Sequence, residues 1–147
     1  MKEIWKTCVY NGTVYTNYEV SNYGRVKALP RLKRHRNGKY FYTKEKILKQ
    51  EITKRGYYRV GLRGGANTRQ VHCLVHRLVA FSFVDGYFEG AVVDHIDTNQ
   101  LNNRSDNLRW CTPLENSNNP LTIEAMSIAQ IKSIQERKLA GTYYREV

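Results

Sequence analysis

The sequence predicts an α+β protein: a small antiparallel β module at the amino end, then a core read as helix, strand, loop, strand and helix, and last a carboxyl-terminal helix. Three observations predict it. In the first 70 residues, short runs of alternating polar and apolar character are broken by turn-forming clusters. Over residues 73–84 the apolar spacing changes to that of a helix. Residues 91–120 then bring a short apolar strand, a loop rich in Asn, Asp and Ser, a second short strand and a helix start signal. The chain has 147 residues, the size of one domain or of two small modules sharing a core. The expected divisions are 1–70, 71–120 and 121–147.

Each element has its own warrant. Tyr18, Glu19 and Val20 form a strand that turns through Ser21, Asn22, Tyr23 and Gly24 into a second strand over residues 25–29, which Pro30 stops. Residues 31–39 (RLKRHRNGK) read as a basic loop whose tip, Asn37-Gly38, is a strong hairpin-turn signal between residues flanked by Tyr40 and Tyr42. Residues 57–62 and 68–72 form another strand pair around Arg63, Gly64 and Gly65. Leu74, Val75, Leu78, Val79 and Phe81 make the apolar stripe of a core helix that Asp85-Gly86 should end. Val92, Val93, Asp94 and His95 form a strand, and Leu108, Arg109 and Trp110 form its return. Thr112 is a helix N-cap with Pro113 at the first helical position and Glu115 at the third, a variant of the capping box. A second capping box, Ser127 with Gln130, opens a helix through Ile131, Ile134 and Leu139 that Gly141 closes.

Composition excludes several classes. An apolar fraction of 41% with 12% aromatics builds a core, so the chain is not disordered throughout. No apolar stretch approaches the roughly 20 residues of a membrane span, and the amino terminus lacks the pattern of a signal peptide, so an intracellular protein with no membrane partner is expected. Cys8, Cys73 and Cys111 are odd in number and widely spaced, which argues for buried thiols rather than a disulfide framework or a structural zinc site.

Lys and Arg number 24 against 13 Asp and Glu, a net +11, and the distribution of that charge is informative. Residues 1–80 hold 18 basic side chains against four Glu, a net +14, whereas residues 81–147 hold six against nine, a net −3. Fourteen of the basic residues fall within residues 25–63. Such an asymmetry suits a polyanion-binding face, because each cation that neutralises a phosphate releases condensed counterions. Composition alone fits a solvated basic surface equally well.

The polar segment carries the candidate chemistry. Phosphodiester hydrolysis needs a base for the attacking water, a cation to neutralise charge on phosphate and leaving oxygen, and oxygen ligands for that cation. His95 suits the first role by its near-neutral pKa. Asp94 with a side-chain amide oxygen suits Mg²⁺, which takes oxygen ligands and is commonly held by one or two protein groups. Asn107, Asn116, Asn118 and Asn119 are the candidates for that amide. Adjacent strand residues point to opposite faces, so Asp94 and His95 share a cleft only if the strand ends or bulges there, as when His95 is its last residue. Asn and Asp clusters also make turns, and a strand-end His is often only a surface residue.

At these residues the sequence resembles the HNH endonucleases, specifically the phage and intron-encoded homing nicking enzymes. The pair Asp94-His95, then Asn102-Asn103, Asn107-Leu108-Arg109-Trp110 and Asn116, carry the resemblance. Residues 75–80 (VHRLVA) and 90–95 (GAVVDH) look like the helix and strand that precede the motif in that group. Trp5 and residues 18–26 (YEVSNYGRV) are similar to the amino-terminal DNA-binding motif often attached to such nucleases, so the matches run over about residues 3–119.

The resemblance implies a ββα-metal active site. His95 would be the general base, Asp94 and Asn116 the ligands of one divalent ion, and Asn107 the residue that holds the loop and orients His95. With Asn116 where many relatives have a final His, Mg²⁺ or Mn²⁺ is favoured over zinc, and the Cys pairs of zinc-bearing relatives are missing, so no structural zinc is expected. The partner would be double-stranded DNA, held by Arg25, Lys27, Arg31, Lys33, Arg34, Arg36, Lys39, Lys54, Arg55, Arg59, Arg63 and Arg77. Tyr40, Tyr42, Tyr57 and Tyr58 could pack on sugars beside them. A monomer that nicks one strand is the first expectation and a dimer that cuts both the second, in the bacterial cytoplasm if the gene is phage-encoded. His76 is expected to be a packed core residue, and Trp110 likewise. Relatives often continue into a helix-turn-helix that reads the major groove. Here Tyr143, Tyr144 and Arg145 look like the start of such a module without its recognition helix, so the target is read by the amino-terminal module or cutting is loose.

Overall fold

The structure is a computed structural model that describes residues 1–64 and 69–117. The expected helix from Ser127, the terminal tyrosines, Asn118 and Asn119 lie outside the described residues. The chain opens with a hairpin, β1 (Trp5–Tyr10) and β2 (Thr13–Ser21), joined at Asn11-Gly12 with φ of 50° and 82°. Both left-handed values are what a two-residue turn matched to strand twist demands, and Asn-Gly supplies them. That dipeptide was a legible turn signal, and β1 is absent from the sequence expectations. The β2 strand returns through the turn of residues 21–24 into β3 (Val26–Ala28), as expected. The segment expected as a basic loop is partly strand. In it β4 (Leu32–Arg34) pairs with β5 (Tyr40–Tyr42) around Gly38 at φ +87°, and His35 stacks on Phe41 with ring centroids 4.0 Å apart.

Two short strands unforeseen in the sequence, β6 (Lys46–Ile47) and β7 (Glu51–Ile52), join the sheets. The first completes a four-stranded sheet in the order β1-β2-β3-β6. The second edges a three-stranded sheet with β8 (Tyr58–Leu62) and β9 (Val71–Leu74). The strand expected over 68–72 thus runs on to Leu74, and the helix expected from Cys73 begins at Val75. The reason is backbone pairing: Val60 and Arg59 of β8 are partnered by Cys73 and Leu74, so the ladder continues until the helical stripe takes over.

Helix α1 (Val75–Phe83) buries Val75, His76, Leu78, Val79 and Ala80. It ends two residues before the expected Asp85-Gly86 stop. Val84 turns extended, its N–H still donating to Ala80 O at 3.0 Å while its carbonyl accepts the Trp110 indole N–H at 3.1 Å. Then β10 (Val92–His95) pairs antiparallel with β11 (Leu108–Cys111), and α2 (Pro113–Ser117) follows. One apolar cluster joins Cys8, Tyr18, Val20 and Val26 of the first sheet to Leu62, Leu78, Val79, Val93, Leu108 and Trp110. The amino-terminal strands and the β10–β11 hairpin therefore pack onto the same helix. Cys8, Cys73 and Cys111 are buried thiols as expected, and burial pushes Cys8 and Cys73 each up to about 12. No helix among the described residues is long and apolar enough to cross a membrane.

Candidate active site

The site is built on the β10–β11 hairpin. All four β10 residues are buried, and α1 and α2 both pack against the strand, so its polar end sits between covered faces. The strand does end at His95, the condition under which neighbours of opposite orientation can serve one cleft. Asp94 is 4% exposed, and its Oδ2 accepts a hydrogen bond from Arg109 Nε at 2.7 Å. The two residues are register partners across the ladder, which places the cation over the carboxylate without any loop contribution. The Asp94 hydrogen bond raises the Arg109 guanidinium further above its ordinary value. Arg109 was missed as a site residue, although the register follows from the two strands once His95 is set opposite Leu108.

His95 is 6% exposed, and its Nε2 lies 2.8 Å from Asn103 Oδ1. An amide oxygen only accepts, so Nε2 carries the proton in this bond and a neutral ring has its lone pair on Nδ1. The ring also meets His76 edge-on at 5.1 Å and Tyr57 at 6.1 Å between centroids. His76, fully buried, is the packed residue expected, and it packs against the histidine of the site. Asn103 is a second residue that sequence reasoning left without a role, since a loop has no periodicity from which to infer where a side chain points.

Asn107 secures the loop between the two strands. Its Oδ1 accepts from the Asp97 N–H at 3.0 Å, while its Nδ2 donates to Asp97 Oδ1 at 3.0 Å and to Asn102 O at 2.8 Å. Its backbone carbonyl accepts from Ile96 N at 2.8 Å. Asp97 is the focus of this loop. Burial works to raise its carboxyl, but hydrogen bonds from Asn102, the Asn99 N–H and Asn107, with the charge of His95 adding, outweigh burial and hold it below the ordinary range.

The α2 capping box forms as the sequence predicts: Glu115 N donates to Thr112 Oγ1 at 3.1 Å and Thr112 N to Glu115 Oε1 at 3.2 Å. Those bonds hold the Glu115 carboxyl below its usual value. The cap fixes a short helix packed on β10, and Asn116, half-buried, lies in it. Asp94 and Asn116 offer hard oxygen donors, a set that fits Mg²⁺ or Mn²⁺ and not a soft metal.

The basic residues divide by environment. Lys33, Arg34, Arg36 and Lys39 are exposed on the β4–β5 hairpin with Tyr40 and Tyr42, and Arg34 lies over the Tyr40 ring at 5.9 Å. Lys54 and Arg55 are exposed on the turn that leads to Tyr57 and so to His95. Arg31 lies over Tyr18 and Arg63 is exposed. Others are engaged within the fold. Lys27 pairs with Glu45 at 3.1 Å and Glu19 at 3.5 Å, Arg25 pairs with Glu3, and Arg59 pairs with Glu51 at 3.2 Å. Arg77 is half-buried against Phe81 and Trp110 and donates to Asn11 Oδ1 at 3.4 Å.

Residues 3–63 match the NUMOD4 motif and residues 73–118 match the HNH endonuclease family. The chain is 38% identical over 122 residues to DNA endonuclease I-HmuI of Bacillus phage SP01, covering 83% of this chain and 62% of that protein. It is 41% identical over 83 residues to the SPbeta prophage-derived putative HNH homing endonuclease YosQ of Bacillus subtilis strain 168, covering 56% and 47%. A solved structure of DNA binding and cleavage by I-HmuI matches with a TM-score of 0.63 at 36% identity, covering 92% of this chain and 68% of that one. The chain thus spans about three fifths of I-HmuI's length. Two motifs matched in order, on a fold shared with a solved relative, make this chain a member of the HNH homing endonuclease family.

Proposed function

We propose that the chain is a divalent-metal-dependent endonuclease that hydrolyses one phosphodiester bond of double-stranded DNA, acting inside the cell as a monomeric nickase of homing type. The observation that carries this reading is the pair Asp94-His95, both buried, at the end of a strand that pairs with β11 and packs against α2. The similarity to I-HmuI, named a DNA endonuclease, supports it.

In this reading His95 Nδ1 accepts the proton of the attacking water while Asn103 holds Nε2. Asp94 and Asn116 hold one Mg²⁺ or Mn²⁺, which when bound supplies Lewis-acid stabilisation of the scissile phosphate and the 3′ oxygen. Asn107 keeps the loop closed so that the end of β10 stays in register with β11. The exposed cations of the β4–β5 hairpin and of the Lys54-Arg55 turn contact phosphates, and Arg31 and Arg63 extend that face. Arg25, Lys27, Arg59 and Arg77, each paired with another side chain of the fold, shape it. Residues 1–70 would form the binding module and 71–120 the nuclease core, with 121–147 as a tail. One such site per chain cuts one strand at a time.

The test is supercoiled plasmid incubated with Mg²⁺, Mn²⁺ or EDTA and either the native chain or His95→Ala. Open-circle product that needs metal and falls at least about a hundredfold in the variant is expected, since general-base catalysis contributes on that order. Linear product at early times would favour a dimer that cuts both strands. If neither protein cuts while both still shift DNA in a gel, the nuclease reading fails and a DNA-binding regulator on this scaffold takes its place.

A further inference from the structure

The amino-terminal motif touches the nuclease loop at the residue that holds His95. The β2–β3 turn is held by side-chain hydrogen bonds on several sides. Ser21 Oγ accepts from the N–H groups of Tyr23 and Arg25, each at 3.2 Å, and the Asn22 amide bonds Ile4 N at 2.8 Å and Lys2 O at 2.9 Å. Gln50 Nε2 donates to Gly24 O at 2.8 Å. On its outer side this turn meets residues 103–105. The Ser105 N–H donates to Asn22 O at 2.9 Å, and the Arg104 guanidinium lies over the Tyr23 ring at 5.0 Å. Gly24 is buried at φ +91°, and a Cβ there would stand 3.0 Å from Asn103 Cβ and 3.1 Å from Asn103 O. Glycine is required twice over, by its left-handed backbone and by this approach.

Asn103 is 4% exposed, its Oδ1 lies on His95 Nε2, and its Nδ2 has no hydrogen-bond partner among the described residues. A buried amide that leaves its donor unpaired while its acceptor meets a histidine is poorly explained by packing alone, because an unpaired buried donor costs stability.

We propose that the turn of residues 21–24 is a positioning element of the nuclease site: Gly24 and Asn22 set Asn103 and Ser105, and Asn103 fixes the ring of His95. The amino-terminal motif then acts on the chemical step as well as on DNA affinity. This rests on the endonuclease reading of His95.

The test is steady-state nicking of plasmid, with DNA affinity measured separately. Asn103→Leu, matched in shape but without the acceptor, should lower kcat by at least about tenfold with KM unchanged, the signature of an interaction used only in the transition state. Asn103→Asp, which keeps an acceptor oxygen, should stay within about threefold of the native rate. Ser105→Pro deletes the N–H that bonds Asn22 and the exposed Oγ contact to Met1 Sδ at 3.9 Å, and the backbone accepts proline because Ser105 opens a 3-10 turn after an extended Arg104. It should lower kcat, as should Gly24→Ala. Gly86→Ala, at φ +94° with nothing within 4 Å, introduces the same backbone strain without the contact and should keep the native rate. The double variant Gly24→Ala/Asn103→Leu should be no slower than Asn103→Leu alone, because both changes break one path. The inference is overturned if Asn103→Leu or Ser105→Pro keeps the native kcat, if Gly24→Ala raises KM alone, or if the double variant multiplies the single losses. A native chain that does not cut at all overturns the proposed function, and this inference with it, whereas native cutting with unaffected variants removes the inference only.

Discussion

Asp94 Oδ2 and Arg109 Nε meet at 2.7 Å directly across the β10–β11 ladder, the carboxylate side chain 5% exposed and the guanidinium 41%. A buried carboxylate is stable because this half-exposed cation neutralises it. A divalent ion on Asp94 would supply the same compensation from another side.

Arg109→Leu therefore destabilises the metal-free chain more than the metal-loaded one. The expected loss in EDTA is about 1–3 kcal/mol, from taking away the cation that meets a buried charge, with the lower end favoured because Arg109 is well solvated. Thermal unfolding of native and variant chains with EDTA and with Mg²⁺ measures it. A smaller gap between the two proteins in Mg²⁺ is the expected result, by mass action on the folded state. An equal gap in both buffers would detach Asp94 from the metal.

Asn107→Ala removes three hydrogen bonds from a loop in which Asn107 itself is 8% exposed. At about 0.5–1.5 kcal/mol each, a loss near 2–3 kcal/mol is expected at neutral pH. Part of that loss depends on Asp97 being ionised. A carboxyl held below its ordinary value stabilises the fold at pH above that value, and the contribution disappears as pH falls through the depressed one. The gap between native and variant stability should thus be full at pH 7 and narrow below about pH 4. Urea unfolding of both proteins at pH 7, 5 and 3.5 follows it, and a gap that widens in acid would contradict this account.

Thr112→Ala opens the cap of α2 and should cost about 1 kcal/mol of stability. If Asn116 is a ligand, the looser helix also raises the Mg²⁺ concentration needed for half-maximal nicking. Leu114→Ala, on the exposed side of the same helix, should leave that midpoint in place. A Thr112→Ala midpoint equal to the native one would separate α2 from metal binding.

Much of this architecture is legible in local sequence. The Thr112–Glu115 capping box, the strand ending at His95 and the Asn37-Gly38 turn each depend on residues a few positions apart, so their signals sit in one window. The helix boundary at Val75 was not legible, because Cys73 and Leu74 fit the helical stripe equally well and only pairing with β8 decides between the two. Asn103 was hidden for a related reason. Its partners His95 and Gly24 are brought to it by the loop and by a turn 79 residues earlier in the chain, and neither approach leaves a periodic trace. Charge counting found the basic region but could not tell Lys33 in solvent from Lys27 between two glutamates.

Lys33, Arg34, Arg36 and Lys39 stand exposed on one hairpin, and a two-stranded ribbon fits the width of the major groove. Replacing all four by Ser should reduce the steepness of log Kobs against log salt by about 3 to 4, at roughly 0.9 for each phosphate that is no longer neutralised. Affinity at low salt falls accordingly, while kcat at saturating DNA is kept, because none of the four lies near His95 in the hydrogen-bond network of the site. Replacing Lys27 should change the slope by much less than one unit, since its charge is already met by Glu19 and Glu45. Filter-binding or fluorescence titrations from about 50 to 200 mM salt measure both slopes. A quadruple variant whose slope equals the native one would show that the hairpin is only a solvated basic surface.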